Sequence, residues 1–450
     1  MPSPLPVGPF QMLDLGDGAR APWYMIPFDK EGRCLGPKTR AHLVEAAAQG
    51  GFTHVFLFSH GWNNDWPTAI KRYQGFFEVF GRVRREEGLT GDYRPLLVGI
   101  SWPSTALVLP WEKGPKIAAA PEEAANEAAG EALEEIAEVA TLVPPNQRER
   151  FYELAAAESW SEAEATELAG ILAPVLAQGS DEEGGGVAPS AAALLDAWRA
   201  LPKGPAPVDD DEEDDFGLVG GGGATPEAAA LSLPDPRGAI RAFTVWQMKD
   251  RAGRVGAAGV GPLVRDLVAA APGARFHLVG HSYGAKVVLS ALAAQPTLPA
   301  GSIESLLLLQ PAINGWAFAA DVAGEGFPGG YRKVLPIVRQ PIFTTFTRHD
   351  VPLTRMFHLA VRRTKDLGEV KVAAGAPSRF AALGGFGPQG GTAPEVQEVV
   401  MPARGGAYPA TPGAKVVALA AHDRIDGHGG VVNEATAWAL LNQVRAAGGP

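Results

Sequence analysis

A serine between two glycines, where an apolar run meets a helix-like run, is the feature that most constrains this chain: RFHLVGHSYGAKVVLSALAAQ. The run 276–279 has the length of a short buried strand, whereas apolar residues recur at helical spacing over 285–292. Ser282 is therefore expected on a sharp strand-to-helix turn, and Gly280 and Gly284 supply the small neighbours that such a strained turn needs. This G-x-S-x-G pattern predicts a nucleophilic serine, with the first N–H groups of the following helix directed at the developing oxyanion.

Further apolar runs have the character of buried strands in a parallel sheet. They are THVFLFSH, PLLVGISW, IESLLLLQPAI, PIFTTFTRHD and AKVVALAAHD. Helix-like stretches occur at 66–88, near 237 and in NEATAWALLNQVRAA. Strands that alternate with helices predict an α/β fold with a doubly wound, mostly parallel sheet.

The segment 104–236 interrupts this alternation. It carries 6 lysines and arginines against 27 aspartates and glutamates, whereas the rest of the chain carries 33 basic against 23 acidic residues. Its first part is rich in alanine and glutamate and favours helix, and its later acidic, glycine-rich tracts have too few apolar residues to order themselves. We expect one α/β domain built from 1–103 and 237–450, with a large helical, partly disordered insertion at 104–236. This insertion could act as a lid, bind a partner or have no function of its own, and the sequence does not distinguish these three roles.

Composition excludes several classes of protein. The chain has 450 residues, of which 46% are hydrophobic, but no run of about 18 apolar residues that would span a membrane. The beginning of the sequence, MPSPLPVGPF, lacks signal-peptide character, and a single cysteine, Cys34, suits a reducing compartment. No metal-ligand spacing, phosphate loop or nucleic-acid motif is present. A cytoplasmic protein with no transmembrane segment, no metal, no cofactor and no nucleic-acid partner is expected, and the oligomeric state stays open.

A serine nucleophile needs donors for the oxyanion, and the loop FSHGWNND after the first clear strand is their expected source. His60 and Gly61 form an HG pair in which glycine lets the backbone turn its next N–H toward the substrate oxygen. The backbone N–H groups of Trp62 and Tyr283 are the two predicted donors.

The general base is sought downstream of the serine, where four histidines occur. His428 lies in a glycine-rich loop before the last helix, from which its imidazole can reach Ser282, and it is favoured over His422 at the preceding strand end. His358 has apolar neighbours at helical spacing and suits a core position. His349 immediately precedes the favoured acid, and the side chains of two adjacent residues cannot easily point in the same direction.

The acid of the triad is expected at the end of a strand. Asp350 follows the β-rich run IFTTFTRH, and Pro352 closes the turn behind it. Asp321 and Asp366 are weaker candidates, because neither closes so clear a strand. A turn-capping role for Asp350 is the structural alternative.

These motifs together resemble the α/β-hydrolase superfamily of serine hydrolases, and HGWNN with SWPS is similar to little-characterised bacterial members. The matching pieces are HGWNN, SWPS, GHSYGAK, Asp350 and GHGGVVNEATAWALL. The resemblance implies cofactor-free hydrolysis of an ester, thioester or amide through a Ser-His-Asp triad and an acyl-enzyme. It also implies that Ser282 cannot do the carboxylate chemistry of haloalkane dehalogenases or epoxide hydrolases.

Aromatic residues near the site-forming loops favour a small-molecule ester or lipid with an apolar acyl or aromatic group. They are Trp62, Trp66, Trp102, Trp111 and Tyr283. A carboxylesterase or lipase-like enzyme is therefore the leading hypothesis. The alternative is an interaction protein that keeps a hydrolase fold while its acidic insertion binds a partner.

Overall fold

The computed structural model describes most of the chain outside the acidic insertion. The described residues are 6–15, 20–62, 64–88, 92–104, 139–157, 160–176, 190–192, 194–195, 248–295, 297–350, 353–354, 381–391, 393–409 and 412–448. Trp111, His358, Asp366 and the predicted helix start near 237 lie outside these ranges, as does the acidic tract 209–223.

The described residues contain a nine-stranded sheet with the order β1-β2-β4-β3-β5-β6-β7-β9-β8. Neighbouring strands are parallel throughout, except that β1 is antiparallel to β2. The strands are β1 Gln11–Asp14, β2 Arg20–Pro27, β3 His54–Ser59, β4 Pro95–Ser101, β5 Arg275–His281, β6 Ser305–Leu309, β7 Ile342–Phe346, β8 Val396–Val400 and β9 Val416–Ala420. The predicted α/β class and mostly parallel sheet are confirmed.

Helices cover both faces of this sheet. They are α1 Pro37–Gln49, α2 Trp66–Glu86, α3 Arg148–Ala155, α4 Glu162–Leu176, α5 Gly261–Ala270, α6 Tyr283–Ala293, α7 Leu383–Phe386 and α8 Glu434–Gly448, with a π-helix at Val255–Val260 and 3-10 turns at Pro145–Gln147 and Arg332–Val334. One core cluster joins a sheet face to α1, α5 and α6, and a second joins the other face to α2 and α8. None of these helices is both long and apolar enough to cross a membrane.

Helix α2 shows how the sequence builds one of these layers. The Asp65 side chain caps its first turn by accepting a hydrogen bond from the Thr68 N–H at 2.8 Å. The buried face of α2 presents Tyr73 and Phe76, whose rings lie 4.9 and 5.1 Å from that of Phe58 in β3. This aromatic contact holds α2 against the sheet directly after the loop that carries the HG pair.

Residues 139–195 contain a small apolar core of their own, whose members all come from this part of the chain. It packs α3 against α4, and the Trp160 indole N–H donates to the Leu154 carbonyl at 2.8 Å. Ser161 and Glu164 form a reciprocal capping box at the start of α4. The described portion of the predicted insertion is therefore helical.

The strand order gathers the candidate site at one edge of the sheet. Strands β3, β5, β6, β7 and β9 are parallel neighbours, so their carboxyl ends meet at the same edge. The loops that leave these ends carry the HG pair, the elbow serine, Gln310, Asp350 and His428. Ligands of open α/β sheets bind at this edge.

Candidate active site

Ser282 has the strained backbone that the elbow requires. Its φ of 54° lies in the left-handed region, between the end of β5 and the first residue of α6. A Cβ at Gly280 would lie 2.6 Å from the Ala285 Cα, and a Cβ at Gly284 would lie 2.0 Å from the Ser59 carbonyl oxygen. Both positions therefore need glycine, as the motif predicts.

The HG loop packs directly against the serine. A Cβ at Gly61 would lie 2.6 Å from the Ser282 Cβ and 3.2 Å from its Oγ. The Ser282 side chain is fully buried, and its Oγ has no hydrogen-bond partner among the described residues. Only glycine at position 61 allows the loop backbone to approach Ser282 this closely.

His60 holds the peptide that follows Gly61 in one orientation. Burial lowers the pKa of His60 to about 4, so its imidazole is neutral near pH 7. Its Nδ1–H donates to the Gly61 carbonyl at 2.8 Å, and its Nε2 accepts the Trp102 backbone N–H at 3.3 Å. Because a peptide is planar and trans, orienting the Gly61 carbonyl also orients the Trp62 N–H, one of the two predicted oxyanion donors.

Two further side chains connect this loop to β4. The Tyr73 hydroxyl accepts the His60 N–H at 2.6 Å and donates to the Ile100 carbonyl. The Trp102 ring stacks on the His60 imidazole, with ring centroids 5.6 Å apart, and its indole N–H donates to the His60 carbonyl. The HGWNN and SWPS motifs are thus neighbours in space.

Asp350 and His428, which are 78 residues apart in sequence, meet at the edge of the sheet. The Nδ1 atom of His428 lies 2.7 Å from Oδ2 of Asp350, and both side chains are almost completely buried. The Asp350 Oδ1 accepts the Leu353 N–H at 2.9 Å. A carboxylate can only accept, so Nδ1 carries a proton and Nε2 is the nitrogen left to exchange one.

His281 and Arg72 anchor the backbone of the His428 loop beside the elbow. Burial, with Arg72 as a further contribution, lowers the pKa of His281 well below its ordinary value. The Arg72 guanidinium lies 3.0 Å from Nδ1 of His281, whose Nε2 lies 3.0 Å from the His428 carbonyl oxygen. An arginine can only donate, so the His281 proton sits on Nε2 and is donated to that carbonyl.

The other candidate bases and acids are not part of this arrangement. His422 accepts the Arg348 N–H through Nδ1 at 3.3 Å and packs edge-on against Phe346. His349 is exposed, and Asp321 is exposed and accepts the Gly326 N–H within its own loop. Asp350 and His428 are the predicted acid and base that the structure brings together.

Gln310 and Thr345 support Asp350 and were not predicted. The Gln310 side-chain Nε2 donates to Asp350 Oδ2 at 3.0 Å, and the Thr345 hydroxyl donates to the Gln310 Oε1 at 2.9 Å. The available sequence signal was a lone amide at the end of the apolar run LLLLQ. For Arg72, the available sequence signal was a basic residue at a position that falls on the apolar face of α2.

The described aromatic residues that were expected to receive an acyl group lie in or against the hydrophobic core instead. Trp62, Trp102 and Tyr283 have at most 3% of their surface exposed and belong to a core cluster, and Trp66 packs against the other one. Core packing therefore accounts for these four side chains. Tyr283 remains the first residue of α6, whose initial N–H groups point out of the helix toward the elbow.

No group of three or more histidine, cysteine, aspartate or glutamate side chains in the described ranges is arranged to hold a metal ion. Comparisons of the chain with protein-family models, with curated proteins and with solved structures find no match.

Proposed function

We propose that this chain is a serine hydrolase of the α/β-hydrolase superfamily that cleaves carboxylic esters through an acyl-enzyme. One observation carries the proposal: the buried Asp350–His428 pair packs on His281, the residue before Ser282, and Ser282 itself has a left-handed backbone against which Gly61 packs. A purely structural turn needs neither the strained serine nor a buried acid–imidazole pair. A partner-binding protein on this fold has no use for the combination either.

In the proposed acylation step, the Ser282 Oγ attacks the ester carbonyl carbon while its proton passes to Nε2 of His428. Asp350 accepts the Nδ1–H throughout, so it holds the ring tautomer and stabilises the imidazolium that forms. The carbonyl oxygen becomes an oxyanion that the N–H groups of Trp62 and Tyr283 stabilise. The C–O bond to the leaving group then breaks, and the departing alkoxide takes the proton from His428.

Deacylation repeats these steps with water as the nucleophile. Water gives a proton to His428 as its oxygen attacks the acyl carbon, and the collapsing intermediate releases the carboxylic acid while Ser282 recovers its proton. The protein supplies one nucleophile, one base with its orienting acid, and two backbone donors. A carboxylic ester is the substrate class that these groups suit.

The nucleophile is tested with a fluorophosphonate probe and intact-mass spectrometry. The folded protein should gain one adduct that maps to Ser282, and Ser282→Ala should gain none. Ser290→Ala is the matched control, because Ser290 is a buried serine of the same helix whose hydroxyl is hydrogen-bonded to Tyr331. An adduct at another residue, or no adduct on folded wild-type protein, would refute the proposal.

Turnover is tested with p-nitrophenyl esters of increasing acyl length. Short acyl chains are the first choice, because the Ser282 side chain is fully covered in this structure. Hydrolysis that depends on Ser282 supports the ester assignment. Labelling at Ser282 without hydrolysis of any ester would keep the nucleophile and move the substrate to a thioester or amide.

A further inference from the structure

Gln310 is a buried amide in a strained conformation that the proposed chemistry does not yet use. It follows β6 directly, has none of its surface exposed and has a φ of 43°. Left-handed backbone is unfavourable for a residue with a long side chain, and it persists where surrounding contacts hold it. Those contacts converge on its side chain.

Both polar atoms of the Gln310 side-chain amide are engaged in hydrogen bonds. Nε2 donates to Asp350 Oδ2 at 3.0 Å and to the Gly384 carbonyl at 3.3 Å, and Oε1 accepts the Thr345 hydroxyl proton at 2.9 Å. The Thr345 Oγ1 in turn accepts the Gln310 backbone N–H at 2.8 Å. Since Asp350 Oδ2 and the Gly384 oxygen only accept, these partners also determine which end of the amide is nitrogen.

The amide acts on the same carboxylate oxygen that receives the His428 proton. Asp350 Oδ2 accepts from His428 Nδ1 and from Gln310 Nε2, whereas Oδ1 accepts from the Leu353 N–H. These three donors hold the plane of the carboxylate. Without the amide, Oδ2 would keep only the imidazole, and rotation of the carboxylate would disturb the tautomer of that ring.

We propose that Gln310, held by Thr345, is a positioning residue that fixes the Asp350 carboxylate in the orientation that His428 needs. This inference rests on the proposed serine-hydrolase function. The orientation of Asp350 thus comes from strands β6 and β7 together, since Gln310 follows the first and Thr345 belongs to the second.

The test compares Gln310→Met, which keeps the length of the side chain without its amide, with wild type and with Gln443→Met. Gln443 is a matched control, because it is a buried glutamine whose Nε2 donates to the Leu306 and Pro341 carbonyls. These carbonyls lie at the amino ends of β6 and β7, away from the carboxyl ends that carry Gln310 and Asp350. Gln310→Met should lower kcat by about 10- to 100-fold with little change in KM, the loss expected for a hydrogen bond to a charged group. Gln443→Met should keep wild-type kcat in its folded fraction.

Gln310→Glu gives a second signature that a structural role would not produce. The new carboxylic acid can donate to Asp350 only while it is protonated. Its kcat/KM should therefore fall with rising pH over a range in which the wild-type value is level. Thr345→Val, which removes the hydroxyl and keeps the branched shape, should lower kcat in the same direction and by less.

Proton NMR of the hydrogen-bonded Nδ1–H of His428 reports on the positioning without substrate. Its downfield resonance, assigned by its loss in His428→Ala, should shift or broaden in Gln310→Met and stay unchanged in Gln443→Met. Wild-type kcat and an unshifted resonance in Gln310→Met would overturn the inference. If wild type hydrolyses no ester and takes no fluorophosphonate, the proposed function fails, while the NMR comparison still decides whether Gln310 orients the pair.

Discussion

Four of the buried histidines should destabilise this protein in mild acid. Burial lowers the pKa of His54 and of His60 to about 4, and it lowers the pKa of His277 and of His281 well below their ordinary value. In the folded protein these rings stay neutral as the pH falls from 6.5 toward 4. In the unfolded chain they take up protons over the same window, so the unfolded state gains stability as the pH falls.

The magnitude follows from this difference in proton binding. At about pH 5 the pH lies about 1.5 units below the ordinary pKa of histidine, so His54 and His60 are protonated in the unfolded chain and neutral in the folded protein, and each contributes about 2 kcal/mol in favour of unfolding. These two together contribute about 4 kcal/mol, a large part of the net stability of an ordinary domain, about 5 to 15 kcal/mol, and His277 and His281 act in the same direction. The free energy of unfolding should therefore fall by about 4 kcal/mol or more between pH 7 and about pH 5.

One substitution isolates a single histidine from this effect. His54 Nδ1 lies 3.0 Å from His277 Nε2, and asparagine places an amide atom near the position of that nitrogen without a titrating ring. His54→Asn should reduce the loss of unfolding free energy between pH 7 and about pH 5 by about 2 kcal/mol. His349→Asn, at an exposed position outside both core clusters, is the control.

The assay is urea unfolding followed by circular dichroism at a series of pH values, with each free energy obtained by linear extrapolation. The free energy of unfolding should rise steeply with pH between about 5 and 6.5 and then level off. A free energy independent of pH in this window would refute the assignment of four neutral buried imidazoles. If the free energy of unfolding of His54→Asn falls with decreasing pH as steeply as that of wild type, the assignment is refuted for the pair of His54 and His277.

Three further predictions concern the site and the insertion. Gly61→Ala should lower kcat/KM by about 100-fold, because the new Cβ would displace Ser282. Gly75→Ala, whose Cβ would meet only a side-chain atom at 3.5 Å, should keep activity and add up to about 1 kcal/mol to stability. Equal effects of the two substitutions on ester hydrolysis and on the melting temperature would contradict the packing of Gly61 on Ser282. His428→Ala should lower kcat by about 1,000-fold or more with circular dichroism unchanged, and His422→Ala should retain substantial activity; the reverse result would move the base to His422. Deleting 209–223 should leave the melting temperature nearly unchanged, because so acidic and glycine-rich a tract contributes little burial; a large decrease would show that the tract is structural.

The central strands and the contact between Asp350 and His428 could be predicted because each is marked locally. Continuous apolar runs mark six of the nine described strands, and glycine-flanked or strand-terminal positions mark Ser282, Asp350 and His428. Strands β1, β2 and β8 were missed. They lie at or next to the edges of the sheet. The two prolines of β2 argue against a strand although its residues 23–26 are apolar and buried, and β8 is half-exposed and lacks a continuous apolar run.

The supporting residues were missed because their partners are distant in sequence. Gln310 meets an acid 40 residues away, Arg72 meets an imidazole 209 residues away, and His281 meets the His428 carbonyl 147 residues away. No local pattern encodes such a contact. A polar residue in an apolar run indicates only that a partner is required.

The position of β3 between β4 and β5 has a consequence for chain entropy. Pairing β3 with β5 closes a loop that runs through β4 and all of 104–236, because His54 is in register with Arg275. Loop-closure entropy grows only with the logarithm of loop length, so the insertion adds about 1 kcal/mol to the cost of that pairing. The Arg251 side chain, beyond the insertion, donates a hydrogen bond to the Pro103 carbonyl at 3.0 Å. The chain thus returns to the same edge of the sheet, and segments of very different length can be exchanged between these two points without altering the strand order.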